Sequence, residues 1–397
     1  MKQSQIIEEN DKYLAQTYNQ IPIILDGGKG VIANDIDGNK YLDFTAGIAV
    51  NILGYGDTEY IKAIEDVLEK GMVHTSNIYY NKGQLDVAKK LCDKSGMEQV
   101  FFCNSGAEAN EAALKLARKY GKMSGERTHV ISMNDSFHGR TFGSLSTTGQ
   151  KKYQKNFYPL LDNVYYATYN NLESVEKLIN DKTCAIIVEP LQGEGGIIPA
   201  NKEFLVGLRE LCDKNDLILI FDEVQCGMGR CGTPLLYQSY NVIPDVVTLA
   251  KAIAGGIPCG AMLAKGKACS ILSKGDHAST FGGNMLAMAA SSYILDKMDE
   301  DFLNHVKDVS SYLFEKLNEL KNKYPKLVLD VRGKGLMVGM QLSITPSIVV
   351  KKCFEKHLLI ISAGTDVLRF VPPLIITKDE IYTGIKIIEN ILDELNN

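Results

Sequence analysis

Between about residue 55 and residue 280, short apolar runs alternate with amphipathic segments, and that rhythm leaves few folds open. The runs fall at 100–103, 130–133, 184–188, 217–221, 246–250 and 260–264. Each is rich in β-branched and aliphatic residues and bounded by turn formers, as expected of short buried strands. The intervening segment 58–70 sets Ile61, Ile64 and Leu68 on one helical face and stops at Gly71. Strand and helix in alternation predict an α/β fold, with a mostly parallel sheet wrapped by helices.

The flanking regions have a different character. Asp37-Gly38-Asn39 separates two alternating runs, 31–35 and 40–44, which is hairpin chemistry. After residue 285 comes a long helical stripe, Phe302, Val306, Val309, Leu313, Leu317 and Leu320, then strands, then a last helix opened by the capping pair Thr377 and Glu380. The expected division is an N-terminal segment 1–50 that packs with the small domain, a large domain 51–285, and a small α+β domain 286–397. No linker, low-complexity tract or repeat separates them, so the domains should pack closely.

Composition removes several function classes. A net charge of −5 with no segment concentrating Lys and Arg argues against a nucleic-acid partner. The nine cysteines are scattered without a Cys-x-x-Cys, and Cys226 and Cys231 have no second pair or histidine nearby, so reduced thiols and no metal site are expected. No stretch reaches the ~18 apolar residues of a membrane span, and the amino terminus lacks a signal-length apolar core. A soluble, cytoplasmic protein is the expectation.

Chemistry enters at two strand ends. The run 217–221 leads into Asp222-Glu223-Val224-Gln225, and the run 246–250 leads into Lys251. If both strands are parallel, a carboxylate and an amine emerge together at the carboxyl edge of the sheet, where open α/β sheets bind ligands. There a lysine forms a Schiff base with an aldehyde cofactor, and a carboxylate keeps a pyridine nitrogen protonated, as pyridoxal phosphate (PLP) requires. Taken alone, the pair reads more simply as a strand-end lysine and a solvated acid. Asn104-Ser105-Gly106-Ala107-Glu108 stands between a strand and a strong helix former, so its amides face whatever anion docks there; by itself it is equally an ordinary capped helix start. Gly227-Met228-Gly229-Arg230-Cys231-Gly232 fits a dinucleotide pattern, but the next strand ends in Lys251 instead of the acid that a ribose needs. Those glycines are better read as a tight turn behind Asp222.

Taken together the motifs resemble the class III, fold-type I aminotransferases, and among them the branch acting on acetylornithine. The resemblance spans nearly the whole chain: Asn104 to Asn110, Phe137-His138-Gly139-Arg140-Thr141, Glu189-Pro190 through Gly196, Asp222-Glu223-Val224-Gln225, Thr248-Leu249-Ala250-Lys251, Ser279-Thr280-Phe281-Gly282-Gly283-Asn284 and Leu368-Arg369-Phe370. It implies a seven-stranded, mostly parallel sheet in the large domain, PLP as cofactor, and an obligate homodimer with shared sites. It further implies Lys251 as the residue that holds PLP and moves the proton, and Asp222 as the partner of the pyridine nitrogen. Ser105, Gly106 and Ala107 would hold the phosphate, with Thr280 reaching it from the other subunit. Phe137 would stack on the ring, and Val224 and Gln225 would contact the cofactor, Gln225 at the phenolic oxygen. For substrates it implies Arg140 and Ser279 as contacts, Arg140 taking a carboxylate, with Arg369 for a second carboxylate and Glu194 to neutralise Arg369 when that carboxylate is absent. The small apolar segment 45–50 suits an N-acylated amine, so the expected reaction moves the δ-amino group of N2-acetyl-L-ornithine to 2-oxoglutarate in arginine biosynthesis. Succinylornithine, ornithine, 4-aminobutyrate and N-succinyl-diaminopimelate are the alternative donors. Two departures from the family pattern, Tyr55 and Ala278, stand out; Tyr55 is expected near the substrate mouth.

Overall fold

The structure is a computed structural model that describes residues 2–396. Its centre is a seven-stranded sheet built from β1 (Gln99–Cys103), β2 (His129–Met133), β3 (Val164–Ala167), β4 (Thr183–Val188), β5 (Ile218–Asp222), β6 (Val246–Leu249) and β7 (Gly260–Ala264). In space they run β1-β7-β6-β5-β4-β2-β3. Only β7 is antiparallel to its neighbours. The chain between Leu249 and Gly260 is too short for the helical crossover that a parallel return demands. Strands β4 to β7 are buried along their whole length. Each fully buried Ile, Leu, Val or Phe there contributes roughly 1.5–3 kcal/mol. Strand β3 was not anticipated from the sequence: it is a half-exposed edge strand whose Tyr165 faces outward, so it lacks a continuous apolar run.

The helix Gly106–Met123 lies on this sheet through Ala109, Ala112, Ala113, Leu116, Ala117 and Gly121. Gly121 is required by proximity, since a Cβ there would sit 2.2 Å from the Arg127 carbonyl oxygen. The helix Thr58–Glu69 forms where the periodicity predicts, capped by Asp57, yet none of its residues is buried, and Ile61 and Leu68 are exposed. Tyr60, Ile64 and Val67 are half-buried, with Tyr60 edge-on to Tyr293 of the helix Met285–Lys297, so only part of the apolar face is covered by this chain.

The hairpin forms between Ile32–Asp35 and Lys40–Asp43, and the second of these strands pairs in parallel with Leu358–Leu359. A separate four-stranded antiparallel sheet is ordered Val328–Lys334, Met337–Leu342, Val367–Phe370, Ile361–Ala363. The helix Glu300–Lys323 buries Val306, Val309, Leu313, Leu317 and Leu320 as the stripe predicts. At the last helix Thr377 N donates to Glu380 Oε2 at 2.8 Å and Glu380 N donates to Thr377 Oγ1 at 3.3 Å.

The glycines at 227–232 make a turn, with Gly229 and Gly232 at φ +82° and +81°. The turn inserts Arg230, 1% exposed, into the interior, where Nη1 donates to the carbonyls of Leu336 (3.2 Å) and Pro372. Its Nε and Nη2 have no partner among the described residues. Burial pulls this guanidinium down to about 10. Among the described residues no helix is long and apolar enough to cross a membrane.

Candidate active site

Strands β5 and β6 are parallel neighbours with Asp222 opposite Thr248. Asp222 is the last residue of β5, and Lys251 opens the short turn Lys251–Ala254 beyond β6. Both line a cavity of about 450 Å³ at the carboxyl edge of the sheet. Lys251 holds a left-handed backbone, φ +48°, a strained conformation for a residue with a Cβ. Burial pulls its amine from 10.5 to about 8; Glu194 opposes the shift, Arg369 adds to it and Asp222 opposes it. Near neutral pH a useful fraction of this amine is therefore unprotonated.

Asp222 is 4% exposed and fixed from three sides. Asn110 Nδ2 donates to Oδ2 at 2.8 Å, His138 Nδ1 donates to Oδ2 at 2.7 Å, and Val224 N donates to Oδ1 at 3.0 Å. Asn110 is itself held, giving Nδ2 to the His138 carbonyl and accepting from Thr248 Oγ1 at 2.8 Å. The carboxylate is thus oriented before any ligand arrives.

At the other end of the cavity Ser105 caps the helix Gly106–Met123, its Oγ accepting from Glu108 N at 3.2 Å, while Glu108 Oε2 accepts from Asn104 N at 2.6 Å. Ser105, Gly106 and Ala107 line the cavity at the positive end of the helix dipole, a ready anion site. Gly106 is needed because a Cβ would meet Val224 Cγ1 at 2.7 Å. A reactive amine, a fixed acid and an anion cradle thus share one enclosure, and they fit an aldehyde, a basic ring nitrogen and a phosphate on one molecule. PLP has those three groups.

The remaining side chains sort by distance from this cavity. Phe137 and Arg140 line it. The Arg140 guanidinium stacks over Tyr153 at 4.2 Å and stands 5.5 Å from the Phe137 ring, which itself meets Tyr153 edge-on at 5.7 Å. Glu194 and Gln225 also line the cavity, and Arg369, 3% exposed, sits behind them. Arg369 Nη1 donates to Glu194 Oε1 in a short ion pair and to Gln225 Oε1 at 3.2 Å. Burial pushes the Glu194 carboxyl up, but Arg369, with help from Lys251 and Gln225, brings it below its usual value. Ser279 does not line this cavity; its Oγ accepts from Asn104 Nδ2 at 3.0 Å and from Gly282 N at 3.1 Å. Thr280 is exposed at a different cleft, with His74 and Asn77.

Tyr55 corrects an expectation. It is not at the mouth: its hydroxyl donates to Asp43 Oδ2 at 2.8 Å, and its ring abuts Gly28, where a Cβ would come within 2.8 Å. Its role is to tie the hairpin to the following segment. Ala278 is exposed without a left-handed φ, so nothing there demands glycine.

Sequence reasoning passed over Glu189, Asn110 and Tyr153. Glu189 lines the cavity, accepts from Phe137 N at 2.9 Å and Gly193 N at 3.1 Å, and is pushed by burial to about 7, opposed by His138. Glu189 and Asn110 lie inside the motifs that carry the resemblance, but no spacing rule gives them a task. Tyr153, in Lys-Lys-Tyr-Gln, has no pattern around it.

A family model described as aminotransferase class III matches residues 13–392. The chain is 48% identical to the acetylornithine aminotransferase of Clostridium acetobutylicum, over 95% of this chain and 98% of that one. It is 45% identical to that of Methanocaldococcus jannaschii, over the full length of both. Among solved structures, N-acetylornithine aminotransferase from Stenotrophomonas maltophilia superposes with a TM-score of 0.84 at 34% identity, covering 98% of this chain and 99% of that one. Ornithine aminotransferase from Toxoplasma gondii gives 0.93 at 29% identity, covering 100% and 96%. The chain belongs to the class III aminotransferases, enzymes that depend on pyridoxal phosphate.

Proposed function

We propose that this enzyme moves the δ-amino group of N2-acetyl-L-ornithine to 2-oxoglutarate, giving N-acetyl-L-glutamate 5-semialdehyde and L-glutamate, a step of arginine biosynthesis in the cytoplasm. The observation that carries the reading is Arg369 masked by Glu194 beside the buried Lys251 amine. Glutamate brings two carboxylates, acetylornithine one. A buried arginine left unpaired in the second case would be a desolvated charge, and Glu194 removes that penalty. The names of the relatives support the same substrate. So does the cavity wall: of segment 45–50 only Val50 lines it, an apolar surface that suits an acylated amine better than a free ammonium.

PLP, when bound, supplies an electrophilic carbon and an electron sink. Lys251, whose buried amine lines the cavity, would hold it and would serve as the base that carries a proton to and from the substrate carbon. Asp222, preset by Asn110 and His138, keeps the ring nitrogen protonated. Ser105, Gly106 and Ala107 at the helix start would hold the phosphate, and Val224, Gln225 and Phe137, which line the same cavity, would contact the rest of the cofactor. Arg140, steadied by Tyr153, takes the substrate carboxylate bidentately, while Ser279, outside this cavity, makes no substrate contact within its own chain.

The working unit in this reading is a homodimer. Ile61, Leu68, Ile78, Tyr79, Tyr80 and Phe281 are all exposed, an apolar surface too large to leave wet. Thr280, exposed and outside the lining of its own chain's cavity, is free to complete the partner's. The deciding experiment is a half-reaction screen of the holoenzyme, following the cofactor absorbance with acetylornithine, succinylornithine, ornithine, 4-aminobutyrate and N-succinyl-diaminopimelate. Faster conversion of any other amine than of acetylornithine overturns the substrate assignment.

A further inference from the structure

Glu194 lies on a short turn between two paired strands, Leu191–Gln192 and Ile198–Pro199. The turn is under strain. Ile197, a β-branched residue, holds φ +54°, a conformation its Cβ disfavours, whereas Gly196 takes φ +110° freely. Such a conformation persists only where its surroundings over-determine it, and here the restraint comes from the distant C-terminal sheet. Arg332, in the strand Val328–Lys334, reaches across so that Nε and Nη2 both donate to the Gly196 carbonyl, at 3.0 and 2.8 Å. Its remaining Nη1 donates to Gln341 Oε1 at 2.7 Å and to Asp330 Oδ2 at 3.4 Å, and Gln341 is anchored in turn on Asp366 at 2.7 Å. A second tie, Gly364 N to the Glu194 carbonyl at 3.0 Å, comes from the turn of the same sheet that precedes Arg369. The backbone on both sides of Glu194 is therefore registered against the sheet that carries Arg369.

We propose that Arg332 is a specificity-determining positioning residue: by gripping the Gly196 carbonyl it holds the Glu194 turn in register with Arg369, and so sets how readily the enzyme accepts an amino donor that lacks a second carboxylate. Arg332 touches no substrate. Its influence runs through one side chain, Glu194, whose single ion pair decides whether Arg369 is masked or open. With the grip removed, Ile197 relaxes toward unstrained backbone and the Glu194 carboxylate drifts from Arg369. Monocarboxylate donors then meet a naked arginine, while glutamate, which supplies its own carboxylate, is hardly affected.

The inference rests on the Glu194–Arg369 reading above, and its test separates the two. Arg332→Ala, Arg332→Lys, Glu194→Ala and the double variant Glu194→Ala with Arg332→Ala are loaded with PLP, and single-turnover kinetics are measured with acetylornithine and with glutamate. Arg332→Ala should lower the preference for acetylornithine over glutamate by about tenfold, the loss of roughly one charge-assisted hydrogen bond. Arg332→Lys, which retains a cationic donor, should restore part of it. In the Glu194→Ala background Arg332→Ala should leave the preference unchanged, because nothing remains to be positioned. Equal slowing of both half-reactions, or a shift of the same size with Glu194 absent, overturns the role of Arg332. If Glu194→Ala itself leaves the preference unmoved, the masking of Arg369 fails instead.

Discussion

Replacing Lys251 by methionine, unbranched and one atom shorter, which removes the charge, should stabilise the protein prepared without cofactor, and the gain should fade as pH rises. The folded amine sits at about 8 against an ordinary value of 10.5. At 1.36 kcal/mol for each pH unit between those values, the ammonium form in this cavity costs the fold about 3 kcal/mol. The sign follows from proton counts. Between about 8 and 10.5 the unfolded chain binds the proton that the folded chain has lost, so wild-type stability rises with pH across that window. Below it both states are protonated and the whole penalty is present; above it the penalty is gone. Methionine at 251 keeps the left-handed backbone, so strain cancels in the comparison. Denaturant unfolding of both proteins at equal concentration should give Lys251→Met an advantage of about 3 kcal/mol near pH 7 that shrinks to about 1 kcal/mol near pH 10. Glu223, at about 8 and without an electrostatic contribution from Lys251, is common to both proteins and drops out of the difference. An advantage that stays constant or grows with pH would show that the amine is not desolvated as the cavity requires.

Three further outcomes are expected. Borohydride reduction of the holoenzyme followed by peptide mapping should place the pyridoxyl label on Lys251, and Lys251→Ala should fold yet lose nearly all turnover; a label on any other lysine defeats the assignment. Mixing inactive Lys251→Ala with an inactive Thr280→Val variant should yield hybrid dimers with one intact site and recovered activity, whereas a fully active monomer in sedimentation rules out shared sites. Glu194→Ala should favour glutamate as donor, and Arg369→Ala should harm the glutamate half-reaction by about 2–5 kcal/mol, the usual toll of truncating one partner of a buried charge pair; a uniform effect on both half-reactions leaves these residues merely structural.

What was legible in the sequence follows from how each feature is encoded. Strands β4 to β7 announce themselves because burial on both faces demands unbroken apolar runs, and Lys251 and Asp222 because they interrupt those runs at the ends. The edge strand β3 has one wet face, and its Val164-Tyr165-Tyr166-Ala167 carries no such run. The helix Thr58–Glu69 was read correctly as amphipathic, but period alone does not say what covers the apolar face, and within this chain it is covered only in part, leaving Ile61 and Leu68 exposed. Tyr55 was placed at the mouth as a departure from the family pattern, but its hydroxyl is engaged by Asp43 and its ring packs on Gly28, away from the cavity lining. Arg332 was invisible because its hydrogen bond ends on a backbone carbonyl, which every residue possesses and no sequence pattern marks.

Arg230 has a bearing on how this enzyme moves. A guanidinium with no counter-ion holds the turn behind Asp222 to the carbonyls of Leu336 and Pro372, the latter three residues past Arg369. Swinging the C-terminal sheet away from the large sheet would strip those acceptors and strand a charge in a dry interior. The molecule is thus bolted at the joint where a clamshell enzyme would hinge. If Glu194 masks Arg369 as proposed, sorting two unlike donors falls to a carboxylate on a turn, and attempts to widen the donor range should target that turn in preference to the interface between the sheets.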